Sequence, residues 1–140
     1  MRTRLEVLED LGIETARTPE GFPVDLRGSG FAIEVTGISK AITVSSEKYN
    51  QTLRFLETHS KGEKILVVAN TFKNTEPSRR PSQSFSKVVS DSLKLHHVCL
   101  VTTLNLYLVW KAVREGSFPK KDAVRLLKAS DGVLQWTAIR

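Results

Sequence analysis

Two acidic residues lie inside segments that otherwise have the composition of short β-strands. Glu34 is the central residue of FAIEVTG, and Asp25 is the central residue of PVDLR. The GSG between the two segments predicts a hairpin with a two-residue turn at Ser29 and Gly30. That register pairs Asp25 with Glu34, and cross-strand partners share one face of a sheet with Cβ atoms about 5 Å apart.

Two carboxylates held opposite each other repel, and a divalent cation removes that repulsion. Carboxylate oxygens are the ligands that Mg²⁺ and Mn²⁺ prefer. Because side chains alternate along a strand, Glu34 and Thr36 face away from the apolar Phe31, Ile33 and Val35, on a more polar face. The acids therefore predict either a site for Mg²⁺ (or Mn²⁺) or a solvated pair on an open sheet face.

The whole chain of 140 residues, 40% of them hydrophobic, is expected to form a single domain, 1–140. Apolar periodicity and turn residues predict a helix, a short strand, the hairpin, a helix, the buried strand KILVVAN, a helix, the buried strand VCLVTT, two helices and a final short strand VLQW. The sequence therefore predicts an α/β fold with a mixed central sheet flanked by helices and a helical C-terminal tail.

A basic composition indicates an anionic partner. The net charge is +6 and the isoelectric point is about 9.7, which suits nucleic acid. Lys73, Arg79, Arg80 and Lys87 lie in and beside the long loop TFKNTEPSRRPSQSFS, where they are candidate phosphate contacts; the alternative is a solvated loop.

The remaining features narrow the setting. The lone Cys99 indicates a reducing compartment, no zinc-ligand spacing is present, and no signal peptide or membrane-length apolar segment is found, so we expect a cytoplasmic protein without a membrane partner. Tyr107, Trp110 and Phe118 lie in apolar patterns that predict core positions rather than base-stacking platforms.

The order of elements in residues 2–70, with Asp25 on the second strand and Glu34 on the third, resembles the PD-(D/E)xK superfamily of restriction-endonuclease-like nucleases. The resemblance implies an α-β-β-β-α-β core and Mg²⁺-dependent hydrolysis of phosphodiester bonds in DNA. It also implies that Asp25, Glu34 and the carbonyl of Val35 hold the metal ion. Gln51, in YNQTLRF, is similar to the glutamine of a Gln-x-x-x-Tyr pattern in some subfamilies, with Phe55 replacing the tyrosine.

The position of the family lysine is occupied by Thr36, which cannot carry the positive charge that lysine offers to the transition state. Lys40, in GISKAI, or Lys48, on the following helix, can reach back to replace it; otherwise the site retains binding without catalysis. The family sometimes adds an acid from the first helix, for which Glu6 and Glu9 are the candidates.

Three functions are consistent with these residues. The first is a metal-dependent nuclease domain acting on DNA. The second is a catalytically inactive nuclease-fold module that binds nucleic acid or a protein partner. The third is an unrelated α/β interaction domain in which the acids are incidental. Because nucleases of this fold often dimerise, the resemblance also implies a homodimer, for which the apolar C-terminal helices offer an interface.

Overall fold

The computed structural model describes residues 3–20, 24–38, 40–57, 62–71, 73–79, 84–134 and 136. The helices are α1 (Arg4–Asp10), α2 (Glu47–Leu56), α3 (Lys87–Leu95), α4 (Thr103–Arg114) and α5 (Lys120–Ala129), with a 3₁₀ turn at Pro77–Arg79. The strands are β1 (Ala16–Arg17), β2 (Leu26–Gly28), β3 (Phe31–Gly37), β4 (Lys64–Asn70), β5 (Cys99–Thr102) and β6 (Gly132–Val133). The α/β fold predicted from the sequence is confirmed.

One mixed sheet contains the six strands in the order β1-β2-β3-β4-β5-β6. The first three form an antiparallel meander, and β3 to β6 are parallel. Parallel neighbours need crossover connections, and α2, α3 and the pair α4–α5 form them. The last residues of β3, β4 and β5 therefore lie along one edge of the sheet, which we call the carboxyl edge.

Helices cover both faces of the sheet. One apolar cluster packs α1, α4 and α5 against the first face, where the strands contribute Phe31, Ile33, Leu66, Val68 and Val101. A second cluster packs α2 and α3 against the other face, where the strands contribute Ala32, Val67, Ala69 and Leu100. The more polar face predicted for β3 is therefore covered rather than open: Glu34 is 0% exposed and Thr36 is 6% exposed.

The turn of the β2–β3 hairpin fixes its register. Ser29 and Gly30 have φ values of 54° and 80°, the left-handed backbone that a two-residue turn between twisted strands requires. Ser29 also ties the turn to the preceding segment, because its hydroxyl donates to the carbonyl oxygen of Glu14 at 2.8 Å. Gly28 is packed so closely that an added Cβ would lie 2.4 Å from that same oxygen.

In the part of the chain that the structure describes, no helix is long and apolar enough to cross a membrane.

Candidate functional site

Asp25 leaves the β2–β3 ladder instead of pairing with Glu34. The inner pairs are as predicted, from Gly28 opposite Phe31 to Leu26 opposite Ile33. The backbone N–H of Asp25 then donates to the carbonyl oxygen of Ile33 at 3.0 Å. Asp25 and Leu26 thus both oppose Ile33, as in a β-bulge, which re-aims the side chain.

The bulge places the Asp25 carboxylate beside the backbone of β3. Its Oδ2 accepts a hydrogen bond of 2.7 Å from the backbone N–H of Val35. Val24 instead belongs to the apolar cluster beneath α2 and α3, on the side of the sheet that Glu34 faces. The predicted face-to-face pair of acids is therefore wrong, because one extra residue in β2 puts valine where the register required aspartate.

A cleft of about 440 Å³ opens where Asp25 meets β3, at the carboxyl end of that strand. Asp25 and Val35 line it, together with polar side chains from the start of α1, from the end of β1 and from the segment that follows β1. Those polar residues are Thr3, Arg17, Thr18 and Glu20. Sequence reasoning missed this set because no motif marks it and because the segment has no strong periodicity.

Glu34 lies on the other side of the sheet, under α2. Its Oε2 accepts a hydrogen bond of 2.5 Å from the hydroxyl of Thr52, which is 1% exposed. This hydrogen bond offsets part of the free-energy cost of removing the carboxylate from water. The sequence did indicate that Thr52 is buried. Thr52 lies three residues from both Tyr49 and Phe55, which places it on the buried side of α2.

Gln51 does not share the site with Glu34. Its amide donates to Oε1 of Glu47, one helical turn earlier, at 3.3 Å on the surface of α2. The adjacent residue, Thr52, makes the contact with Glu34 instead. The side chain of Lys48, the alternative lysine, lies outside the described residues.

Two loops meet at the carboxyl edge. The backbone N–H of Ile38, just after β3, donates to the carbonyl oxygen of Asn70 at the end of β4 at 3.1 Å. Further along, Ile42 forms a parallel bridge with Phe85. These bonds hold Ile38 against the end of β4 and Ile42 against Phe85, and Lys40, which lies between Ile38 and Ile42 in the sequence, is exposed.

Lys73 reaches the end of β3 from the second loop. Its backbone N–H donates to the carbonyl oxygen of Ile38 at 3.0 Å. Its Cδ would lie 3.5 Å from a Cβ added to Gly37. Gly37 and Val35 share one face of β3, because directions alternate along a strand. Lys73 therefore lies on the same side of the carboxyl edge as the cleft.

The other predicted phosphate contacts are exposed and paired with acids. Arg79 lies 3.8 Å from a carboxylate oxygen of Glu76. The ammonium of Lys87 donates to Asp91 at 2.6 Å, and this hydrogen bond raises the pKa of Lys87 above its ordinary value. Arg80 lies outside the described residues.

The residues do not fit a hydrated Mg²⁺ shared by Asp25 and Glu34. Magnesium needs close to octahedral geometry and keeps several water ligands. The Asp25 carboxylate is bonded to a backbone N–H, whereas Glu34 is buried under α2 and does not line the cleft. Within the described ranges, no three His, Cys, Asp or Glu side chains cluster in a way that could hold a metal ion.

The acids of the first helix do not complete such a site. Glu6 closes a capping box at the start of α1: its Oε1 accepts from the backbone N–H of Thr3 at 2.9 Å, and the hydroxyl of Thr3 accepts from the N–H of Glu6. That carboxylate stabilises the helix start. Glu9 is exposed.

Comparisons with protein-family models, with curated proteins and with solved structures found no match for this chain.

Proposed function

We propose that the protein is a catalytically inactive module of restriction-endonuclease-like fold that binds the phosphate backbone of nucleic acid, most simply DNA, at the carboxyl edge of its sheet. The observation that carries this proposal is the burial of Glu34, whose carboxylate accepts the hydroxyl of Thr52 and is closed off from the cleft beside Asp25. Thr36, which occupies the position of the family lysine and is buried on the same face of β3, also supports this proposal.

The topology supports the assignment of the fold. A helix, a three-stranded antiparallel meander, a crossover helix and a parallel strand follow one another from α1 to β4. That is the order of the α-β-β-β-α-β core that the resemblance implies. Glu34 is the central residue of β3, as in the acidic motif of that superfamily, whereas Asp25 lies one residue before β2 and not on it.

Catalysis requires groups that this arrangement does not bring together. Hydrolysis in such a site needs a metal-activated water and a cation near the phosphate that is attacked. Thr36 offers no positive charge, and Glu34 is buried under α2 and does not line the cleft. These two features support the proposed loss of catalysis.

Binding is supported by the cations of the carboxyl edge. Lys40 is exposed on the loop after β3, and Lys73 crosses Gly37 beside the cleft. Neighbouring loops at the carboxyl ends of parallel strands are a common location for ligands. Lysines in such loops make sequence-independent, salt-sensitive contacts to phosphate.

A second candidate, a metal-dependent nuclease, is favoured by one observation. Asp25 and Val35, two of the three groups that the resemblance assigns to a metal ion, both line the 440 Å³ cleft. In that case a movement of α2 would have to expose Glu34, and Lys40 or Lys73 would have to replace the missing lysine.

The test combines cleavage and binding on the same preparations. Single- and double-stranded DNA are incubated with wild-type protein and with Glu34→Gln, in Mg²⁺, Mn²⁺ or EDTA. Affinity for a labelled duplex is then measured against salt for wild type, for Lys73→Ala and for Lys94→Ala. Lys94 is an exposed lysine on α3 and serves as the charge-matched control.

We expect no metal-dependent cleavage and salt-sensitive binding of the duplex. In Lys73→Ala the slope of log affinity against log salt should fall by about 0.9, because one phosphate is no longer neutralised. Lys94→Ala should behave as wild type. Metal-dependent cleavage that disappears in Glu34→Gln would establish the second candidate instead. Absence of any salt-sensitive binding would refute nucleic-acid recognition and favour an interaction domain of another kind.

A further inference from the structure

An exposed stripe runs along α4. Leu104, Tyr107, Lys111 and Arg114 are spaced by three, four and three residues, which places them within an arc of about 80° on a helix of 3.6 residues per turn. All four are exposed or partly exposed, with Leu104 and Tyr107 among the exposed large hydrophobic residues. The opposite side of the helix is buried against the sheet and the helices beside it; it contains Leu106 and Val109.

The aromatic residue of this stripe was expected in the core, and that prediction is wrong. Tyr107 is 39% exposed and Leu104 is 63% exposed. Among the described residues, Tyr107 is the exposed aromatic side chain, whereas Trp110 is 9% exposed and Phe118 is half-buried, as predicted. An exposed ring that is not needed for core packing is free to contact a ligand.

Trp110 packs against two side chains of the stripe, Tyr107 and Arg114. Its ring centroid is 5.2 Å from that of Tyr107, and the guanidinium of Arg114 lies 5.4 Å from the centre of the indole ring. The indole N–H donates to a carboxylate oxygen of Asp10 on α1 at 2.9 Å. The tyrosine ring and the arginine are therefore held before a ligand arrives, which lowers the entropy cost of binding.

The chain segment that contains the stripe is basic in composition. Residues 103–130 contain six lysine and arginine residues and two acids, a net charge of +4 out of +6 for the chain. Two of the cations end α4, two begin α5 and two follow further along α5. They are Lys111, Arg114, Lys120, Lys121, Arg125 and Lys128. Within the stripe itself, the exposed Lys111 and Arg114 are complementary to a polyanion, whereas Lys128 lies over the ring of Phe31 and Arg125 lies 3.3 Å from Asp122.

We propose that this stripe, which we call the α4 stripe, binds single-stranded nucleic acid, with Tyr107 stacking on a base and with Lys111 and Arg114 contacting the phosphates on either side. Aromatic side chains interleaved with cations are how proteins bind single strands without sequence preference. A ring on a convex helix surface can stack only on a base that is not already paired within a duplex.

The α4 stripe begins at the carboxyl edge. Leu104 follows the last residue of β5, Thr102, by two positions. The inference takes the class of its ligand from the proposed function, but it assigns a different surface and a preference for unpaired bases.

The test is fluorescence anisotropy of a labelled oligo-dT of about 12 nucleotides, a length in the range that single-strand-binding folds cover. The variants are Tyr107→Ala, Tyr107→Phe and, as a control for an exposed apolar residue, Leu95→Ala on α3. Lys111→Ala and Arg114→Ala are titrated at several salt concentrations, with Arg54→Ala on α2 as the control for charge. Circular dichroism melts verify that each variant is folded.

We expect Tyr107→Ala to weaken binding by at least about five-fold, and Tyr107→Phe to stay within about two-fold of wild type. Lys111→Ala and Arg114→Ala should each reduce the salt slope by about 0.7. Equal affinity of wild type and Tyr107→Ala for oligo-dT would overturn the proposal that the α4 stripe binds single strands, but would not affect the proposal that the carboxyl edge binds nucleic acid. Weaker binding by Tyr107→Ala, with no change in the affinity of Lys73→Ala, would support binding at the α4 stripe and refute binding at the carboxyl edge.

Two further outcomes would also overturn the inference. Binding of duplex but not of oligo-dT would show that unpaired bases are not recognised. A Tyr107→Ala variant that changes the sedimentation mass of the protein while its affinity for oligo-dT is unchanged would show that the α4 stripe joins two copies of this chain.

Discussion

Replacing Thr52 by valine isolates the contact that encloses Glu34. The substitution keeps the number of side-chain heavy atoms and removes the hydroxyl that donates to Oε2 of Glu34 at 2.5 Å. Both residues are buried, so water cannot replace the missing donor. Hydrogen bonds to charged groups contribute about 1.5–3 kcal/mol. We therefore expect Thr52→Val to lower the free energy of unfolding by about 2 kcal/mol, or the Tm by about 6 °C.

A double-mutant cycle separates the charge of Glu34 from the shape of its side chain. In a Glu34→Gln background the amide oxygen still accepts the hydroxyl of Thr52, but as a neutral partner worth about 1 kcal/mol. Thr52→Val should therefore cost about 1 kcal/mol less in that background than in wild type. Urea unfolding at pH 7, followed by circular dichroism and by tryptophan fluorescence, measures all four free energies.

Two results would contradict this account of Glu34. One is a change in the free energy of unfolding by Thr52→Val of less than about 0.5 kcal/mol, and the other is an equal cost in both backgrounds. A change smaller than about 0.5 kcal/mol would mean that water reaches the Glu34 side chain and replaces the donor. The site would then be open on the side of α2, and the main support for an inactive module would be gone. An equal cost in both backgrounds would mean that Thr52 donates to an uncharged acceptor.

Three other features give separate predictions. The hydrogen bond from Lys64 to Asp131 holds the pKa of Asp131 below its ordinary value of 3.8. Asp131→Asn should therefore destabilise the protein at pH 7, by less than about 1 kcal/mol for this partly exposed pair, and the destabilisation should disappear when the pH falls well below 3.8. Urea midpoints at each pH measure it, and a difference that stays constant with pH would contradict this. Burial raises the pKa of Cys99 to about 12. Iodoacetamide at about pH 8 should therefore alkylate Cys99 only when urea unfolds the protein. Equal alkylation rates with and without urea would contradict this. Gly28→Ala should lower the free energy of unfolding by more than about 3 kcal/mol, because the new Cβ would lie 2.4 Å from a carbonyl oxygen. Gly116→Ala, where φ is 80° and the space around the new Cβ is open, should lower it by about 1 kcal/mol. Similar urea midpoints for the two variants would contradict this.

Local chemistry made the elements of this fold predictable from the sequence. The buried strands β4 and β5 are short continuous apolar runs, and the helices show apolar residues at three- and four-residue spacing. The GSG turn predicted the register of the hairpin correctly as far as Leu26 opposite Ile33. Each of these features depends on residues close in sequence, so the sequence pattern was sufficient.

The site depends on contacts that the local pattern does not contain. One bulged residue moved Asp25 out of the register and brought Val24 to the face that Asp25 was expected to occupy. Bulges follow from packing as much as from sequence. In the same way, the alternation of β3 correctly separated Glu34 from Ile33, but only the packing of α2 and α3 decides whether that face is buried or open.

The same three residues are consistent with a nuclease and with an inactive module, and burial distinguishes between them. Asp25, Glu34 and Thr36 have the spacing of a metal-dependent site in which threonine replaces the lysine. If that replacement were the only change, Glu34 would be expected on the wall of the cleft that Asp25 lines. Instead its carboxylate is directed to Thr52 on the far side of the sheet. A carboxylate that accepts a buried hydroxyl contributes to the packing of α2 against the sheet, so the burial of Glu34 and the replacement of the lysine by Thr36 both support the proposal of an inactive module.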